Sequence, residues 1–189
     1  DCRVALPEEW RFVLVRPEQG LGLAGVNEQQ AMDSIKRDFT SLTEQLRTEA
    51  RDALARFAEL EKSPEYVHTY RVSALSLWNA AAAGLTAQQI LDDLDKYSKY
   101  PLPDNIKVDI TESVSRYGRI KIVLENARML VISDDYALMQ EVSRHKWFSP
   151  LIKAHLGPTT FEIDPAQRGQ VKRVLLQIGF PAEDLAGYL

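Results

Sequence analysis

No glycine or proline interrupts the chain between Val26 and Ser63, and a stretch of that length lacking both residues is most readily a helix. Within it Met32, Ile35, Phe39, Leu42, Leu46, Ala50, Ala53, Phe57 and Leu60 recur at spacings of three and four, which puts them on one apolar face. Asn27 can cap the start, with Gln30 three residues later, and Pro64 lies just beyond the end. One long amphipathic helix over 26–63 is therefore predicted. Its near-heptad stripe has two uses. One is the seam of a dimer over 27–61 in a free-standing interaction protein; the other is a face packed on its own domain. Small alanines in the stripe and Glu49 within the repeat favour the second.

Residues 1–25 hold an apolar, β-prone segment, Arg11 to Val15, followed by Gly20, Gly22 and Gly25, and read as a short strand and loop extension. Beyond the long helix the rhythm changes. Val67 to Ser73 alternates as a strand does and leads into an apolar helix, Ala74 to Ala83, closed by Gly84. Thr86 and Gln89 form a capping box ahead of Ile90, Leu91, Leu94 and Tyr97, and Pro101 and Pro103 end that helix. Asp104 can cap a third, with Ile106, Ile110, Val114 and Tyr117 on one face and Gly118 at its end. Ile120, Ile122 and Leu124, then Met129, Val131 and Ser133, alternate on either side of a turn and predict a hairpin.

Strand, three helices and hairpin, in that order, are the elements of a winged-helix fold, so residues 67–133 are read as a winged-helix-like domain. Residues 134–189 read as a small α/β appendage: a helix from Tyr136 to about His145, a strand at Thr159 to Ile163, and a helix opened by Asp164 and Pro165 and closed by Gly179. Pro181 to Leu189 reads as a tail or linker. The fold class expected is α+β, with a long N-terminal helix, a winged-helix-like domain and that appendage.

Composition removes several function classes. No apolar run approaches the ~20 residues needed to span a bilayer. Asp1 to Trp10 lacks the basic start and apolar core of a signal peptide, so a cytoplasmic protein with no membrane partner is expected. Cys2 is the only cysteine and the histidines number three, His68, His145 and His155, which cannot make a cysteine-rich zinc site. Neither a structural metal nor a cofactor is expected in this chain. No GxSxG, HExxH or GxxxxGK[ST] pattern occurs, so neither nucleophilic hydrolysis nor P-loop nucleotide hydrolysis has its usual residues. Gly20-Leu-Gly-Leu-Ala-Gly25 matches the letters of a dinucleotide fingerprint, but no second βαβ unit follows it. Asp92, Asp93 and Asp95 lack the glycine and glutamate of a calcium loop and read as a solvated helix face.

The net charge of −4 conceals an asymmetry, because residues 116–189 carry 10 bases against 8 acids. That excess permits weak phosphate contacts and no more. Arg116, Arg119, Lys121 and Arg128 on the hairpin and its approach, with Arg168, Lys172 and Arg173 on the last helix, are the candidate DNA contacts. For each the competing reading is a solvated surface. The third helix offers Lys107, Asp109, Glu112, Ser113 and Arg116. Two carboxylates facing a polyanion are repulsive, so Lys107, Asp109 and Glu112 suit a protein partner better than a DNA groove. Trp78, Trp147 and Phe148 read as core or interface anchors.

The runs His68-Thr-Tyr-Arg-Val-Ser73, Leu77-Trp-Asn-Ala-Ala-Ala-Ala-Gly84, Tyr97-Ser-Lys-Tyr-Pro101, Asp109-Ile110 and Arg116-Tyr-Gly-Arg119 resemble the N-terminal region of bacterial XPB-family, superfamily-2 DNA helicases. So do Gln167-Arg-Gly-Gln-Val-Lys172 and Gly179-Phe-Pro-Ala-Glu-Asp-Leu-Ala-Gly-Tyr188, and the resemblance covers about residues 49–189. It implies a non-catalytic accessory domain of an ATP-dependent translocase of double-stranded DNA, in repair or transcription. ATP and magnesium would sit only in the helicase core of the same protein. It implies docking too, since the corresponding region of eukaryotic relatives docks on a neighbouring subunit of transcription factor IIH. Pro7 to Gln30, including Trp10-Arg-Phe-Val-Leu-Val-Arg-Pro17, departs from this pattern and is weakly similar to GHMP-type small-molecule kinases, without their phosphate-binding loop.

Overall fold

A computed structural model describes residues 10–15, 44–64 and 67–187 of the chain, which is a mixed α+β protein. The long helix before residue 44, its Asn27 cap, the Gly20–Gly25 segment and Cys2 lie outside the described residues. Two compact units are present: Asp1–Ala80 with Gln88–Pro103, and Ala81–Ala87 with Asp104–Leu189.

The first unit contains an antiparallel three-stranded sheet in the order β1-β3-β2, where β1 is Trp10–Val15, β2 is Glu59–Lys62 and β3 is Val67–Val72. Helix α1 covers the described residues 44–54. The helix predicted to reach Ser63 thus stops at Leu54, although neither glycine nor proline stops it. Phe57 N–H and Ala58 N–H both donate to the Leu54 carbonyl, turning the chain so that Phe57 drops into the interior. Glu59 and Leu60 then pair with Arg71 and Tyr70, and Arg71 Nη2 donates to Glu59 Oε2 at 3.1 Å. Strand pairing, a tertiary interaction, overrides local helix propensity here. The dimer seam is corrected over the same residues. Ala50, Leu54 and Phe57 are buried within the chain, leaving Leu46 and Leu60 as the exposed members of the stripe in this region.

Helix α2, Ala74–Ala82, opens on a reciprocal cap: Ser76 N–H donates to Ser73 Oγ and Ser73 N–H to Ser76 Oγ. Helix α3, Ala87–Tyr97, buries Ile90 and Leu94, the apolar positions read from the sequence. Asp92 and Asp95 are exposed as expected, but Asp93 is half-buried with Oδ2 3.5 Å from Arg56 Nη1.

The second unit is built on a five-stranded sheet in the order β6-β7-β5-β4-β8. Its strands are β4 Lys121–Glu125, β5 Arg128–Ile132, β6 Ile152–Gly157, β7 Thr160–Ile163 and β8 Glu183–Asp184. The predicted β4–β5 hairpin is present, turning tightly at Asn126 and Ala127, both at positive φ. It is not a free wing. Strand β5 pairs with β7 and β4 with β8, so the hairpin lies in the middle of the sheet. Residues 134–187, read as an appendage, supply three of the five strands and share the core with the hairpin. The span 67–133 contributes β3, α2 and α3 mainly to the first unit, and helix α4, Asp104–Arg116, with the hairpin to the second.

Helices α5, Tyr136–Arg144, and α6, Arg168–Ile178, close that core. Leu138, Met139 and Val142 of α5 and Val171, Val174 and Leu175 of α6 recur every three or four residues and are buried with Ile120, Ile122, Met129, Val131, Phe148, Phe161 and Ile163. Asp164 accepts from Ala166 N–H at the start of a 3₁₀ turn that precedes α6. Gly179 closes the helix at φ +92°, a conformation that costs glycine little.

Candidate DNA-contact and docking surfaces

Two of the three basic residues of the last helix, Arg168 and Lys172, turn back onto the protein. Asp184 on β8 is 13% exposed and accepts from Arg168 through Nε at 2.9 Å and Nη2 at 2.6 Å, and from Lys172 Nζ at 2.9 Å. Burial works against a charge on Asp184, but the Arg168 and Lys172 hydrogen bonds and their positive charges outweigh it and hold the carboxyl below its ordinary value. Arg168 Nη1 also reaches the Gly187 carbonyl. Residues expected to face DNA therefore clasp the chain's C-terminal strand, which the sequence presented as a tail. Glu183 N–H donates to Ile120 O and Leu185 N–H to Ile122 O.

Arg116 and Arg119 are also engaged. Arg116 pairs with Glu112 one turn back on α4, and Arg119 Nη2 donates to Asp135 Oδ2 at 2.6 Å. Asp135 is itself the cap of α5, accepting from Leu138 N–H. The two guanidinium carbons lie 5.6 and 5.9 Å from the centre of the Phe180 ring, a cation–π arrangement. Three of the seven candidates have no ion pair among the described residues: Lys121, half-buried on β4, and Arg128 and Arg173, both exposed. Arg128 is beside the hairpin turn, on the opposite strand position from Glu125. In the proposed docking group, Lys107 is 3.9 Å from Asp104, while Asp109 and Glu112 are exposed, as is Val108 just before Asp109.

One cationic group was passed over. Arg144, His145, Lys146 and Trp147 are consecutive at the end of α5, and Trp147 is 50% exposed while the adjoining Phe148 is wholly buried. The signal was the run of basic residues beside a tryptophan; reading Trp147 together with Phe148 as an anchor hid it. Trp78, by contrast, is buried as expected.

Ser63 Oγ lies 2.7 Å from His68 Nδ1, the spacing of a nucleophile and its base. Arg47 Nη2 approaches the other ring nitrogen at 3.2 Å. An arginine can only donate, so Nε2 accepts and the ring proton sits on Nδ1, facing Ser63 as a donor. That is the wrong tautomer for withdrawing a proton from the hydroxyl. No group of three or more histidine, cysteine or carboxylate side chains among the described residues is placed to hold a metal, and none of their helices is long and apolar enough to cross a membrane.

Residues 35–156, more than half the chain, match the family profile described as the helicase conserved C-terminal domain. This defines the class: a segment of a helicase. The chain is 46% identical over 159 residues to a DNA 3'-5' helicase XPB of Mycobacterium tuberculosis, a match covering 82% of this chain and 29% of that protein. It is also 46% identical over 140 residues to the DNA 3'-5' helicase XPB of Kineococcus radiotolerans, covering 74% and 25%. Identity is 34% over 117 residues to the XPB helicase/translocase subunit of general transcription and DNA repair factor IIH of Schizosaccharomyces pombe, covering 62% of this chain and 14% of that protein. The chain belongs to the helicase family of that profile, on its XPB branch. It spans 29% and 25% of the length of the two bacterial relatives.

Proposed function

We propose that this chain is a non-catalytic accessory module of an XPB-family DNA helicase, placed at its N-terminal side by the sequence resemblance although the matching profile is described as a C-terminal domain, acting in the cytoplasm chiefly by docking on protein: the helicase core itself or a repair or transcription protein. The observation that carries the reading is the second unit's sheet. Its strand pairs are antiparallel apart from the two-residue β4–β8 pairing, whereas a P-loop sits between a strand and helix of a βαβ unit in a parallel sheet. With no GxxxxGK[ST] in the sequence, ATP and magnesium belong in this reading to the core of the same protein. Docking is favoured over DNA because Arg116, Arg119, Arg168 and Lys172 are tied to carboxylates, Arg116 to Glu112 itself, while Asp109 is exposed with no ion pair among the described residues.

A second reading, steering of duplex DNA, rests on Arg128 beside the exposed hairpin turn. Three measurements test the proposal. The chain alone is expected to hydrolyse no ATP with or without duplex DNA; turnover would refute a non-catalytic role. Asp109→Lys with Glu112→Lys is expected to weaken capture of the separately produced helicase core without lowering Tm, and unchanged capture removes this docking surface. Duplex binding at low salt is expected to be weak and to fall with Arg128→Glu; identical titrations exclude the hairpin contact.

A further inference from the structure

The corner at the end of α5 carries a feature that the docking reading does not use. Arg144 closes the helix, and Lys146 and Trp147 follow within the turn leading to the 3₁₀ helix Ser149–Leu151. A cation at a helix C-terminus is explained by the macrodipole. A half-exposed tryptophan is not, least of all beside Phe148, which reaches the core from the next position. Lys146 Nζ lies 4.9 Å from the centre of the indole, and the His145 ring meets it at 66° with centroids 5.3 Å apart. These neighbours lie against the ring while half of its surface stays open. Arg144 and Lys146 are exposed and make no ion pair among the described residues; the nearest acid in sequence, Glu141, lies about one turn back on α5.

We propose that this corner binds single-stranded nucleic acid, with one unpaired base stacking on Trp147 and the adjoining phosphates held by Arg144 and Lys146. A half-exposed indole with a lysine ammonium against it and an exposed arginine three residues before it in sequence is the combination that sequence-tolerant single-strand sites use: stacking supplies a sizeable share of the affinity, and cations follow the backbone. An acidic peptide would use the charges and leave the indole without a role, so the exposed ring favours a base. Duplex DNA would satisfy only the cations, because its bases are stacked on one another. The site is separate from Arg128 and from the acidic face of α4, and it stands whether or not the docking reading does.

The experiment titrates the full chain with fluorescein-labelled oligothymidylate of about 20 nucleotides at low salt, following anisotropy and tryptophan fluorescence. Binding with quenching is expected, and the quenching is expected to vanish in Trp147→Phe while affinity is largely kept. Trp147→Ala should weaken binding by about tenfold, the loss of one base–aromatic stack. Arg144→Ala with Lys146→Ala should reduce the slope of log affinity against log salt by about 1.4, the value for two phosphate contacts on a single strand. Melting curves matching the parent verify that the variants fold, as expected for exposed side chains. Three results would overturn the proposal: no binding by the parent chain, unchanged affinity in both Trp147→Ala and the double variant, or competition by polyglutamate as effective as by unlabelled oligothymidylate.

Discussion

Replacing Asp184 by alanine should free the C-terminal strand. The side chain accepts two hydrogen bonds from Arg168 and one from Lys172, and Arg168 is 20% exposed against 47% for Lys172. Removing one partner of a fully buried pair costs about 3–5 kcal/mol, and an exposed pair contributes about 0–1 kcal/mol. The Arg168 pair lies between these limits and the Lys172 contact near the lower one, so a loss of about 2–3 kcal/mol is expected. For a chain of this size that corresponds to a fall in Tm on the order of 5–10 °C. The assay combines thermal melting with hydrogen exchange. Glu183 and Leu185 N–H groups, bonded to Ile120 and Ile122 carbonyls, should lose protection before the rest of the sheet. Because the native carboxyl is held below its ordinary value, its contribution is complete above the unfolded pKa of about 3.9 and is lost as pH falls through the lower native value. The difference between parent and variant should therefore shrink in acid. A Tm within about 1 °C of the parent at neutral pH, with unchanged exchange at β8, would refute the clasp.

Two further outcomes test the fold. Ala127 sits at φ 60° in the two-residue hairpin turn, where a side chain costs about 1–2 kcal/mol; Ala127→Gly should raise the unfolding free energy measured in urea by a net of about 0.5 kcal/mol after the greater unfolded-state freedom of glycine is subtracted, and a lower free energy would contradict the positive φ. Phe161 is 1% exposed, 6.5 Å from the Phe148 ring centre and 4.8 Å from that of His155, so Phe161→Ala should cost about 3–5 kcal/mol in urea unfolding, and a loss under about 1 kcal/mol would contradict its place in the core.

The alternation of Ile120, Ile122, Met129, Val131 and Ser133, and the three-and-four spacing of Ile90 and Leu94 or Val171, Val174 and Leu175, specified those elements and their buried faces without help. Periodicity reports which side faces a core, and each of these elements meets one. The same information is silent on which element pairs with which. Strand β6 has one β-branched residue, Ile152, and two register shifts against β7, and no alternation in its sequence predicts it. Strand β8 has two residues. Both exist because a neighbouring strand offers unpaired backbone groups, a long-range condition that no local pattern carries.

Charge shows the division most plainly. The sequence alone located Arg116, Arg119, Arg168 and Lys172 and established that a weak basic surplus gathers in the last third of the chain. It also carried enough ordered identity to place the chain in the XPB family. Arg116 meets Glu112 one turn back on its own helix, but whether Arg119, Arg168 and Lys172 face solvent or a carboxylate was decided by the return of the chain after Gly179, which brings Asp184 against α6, and by the turn that brings Asp135 against Arg119. A guanidinium reads the same in either setting when only its neighbours in sequence are known. Its partner lies 16 residues away in both cases, and folding alone brings the two charges together.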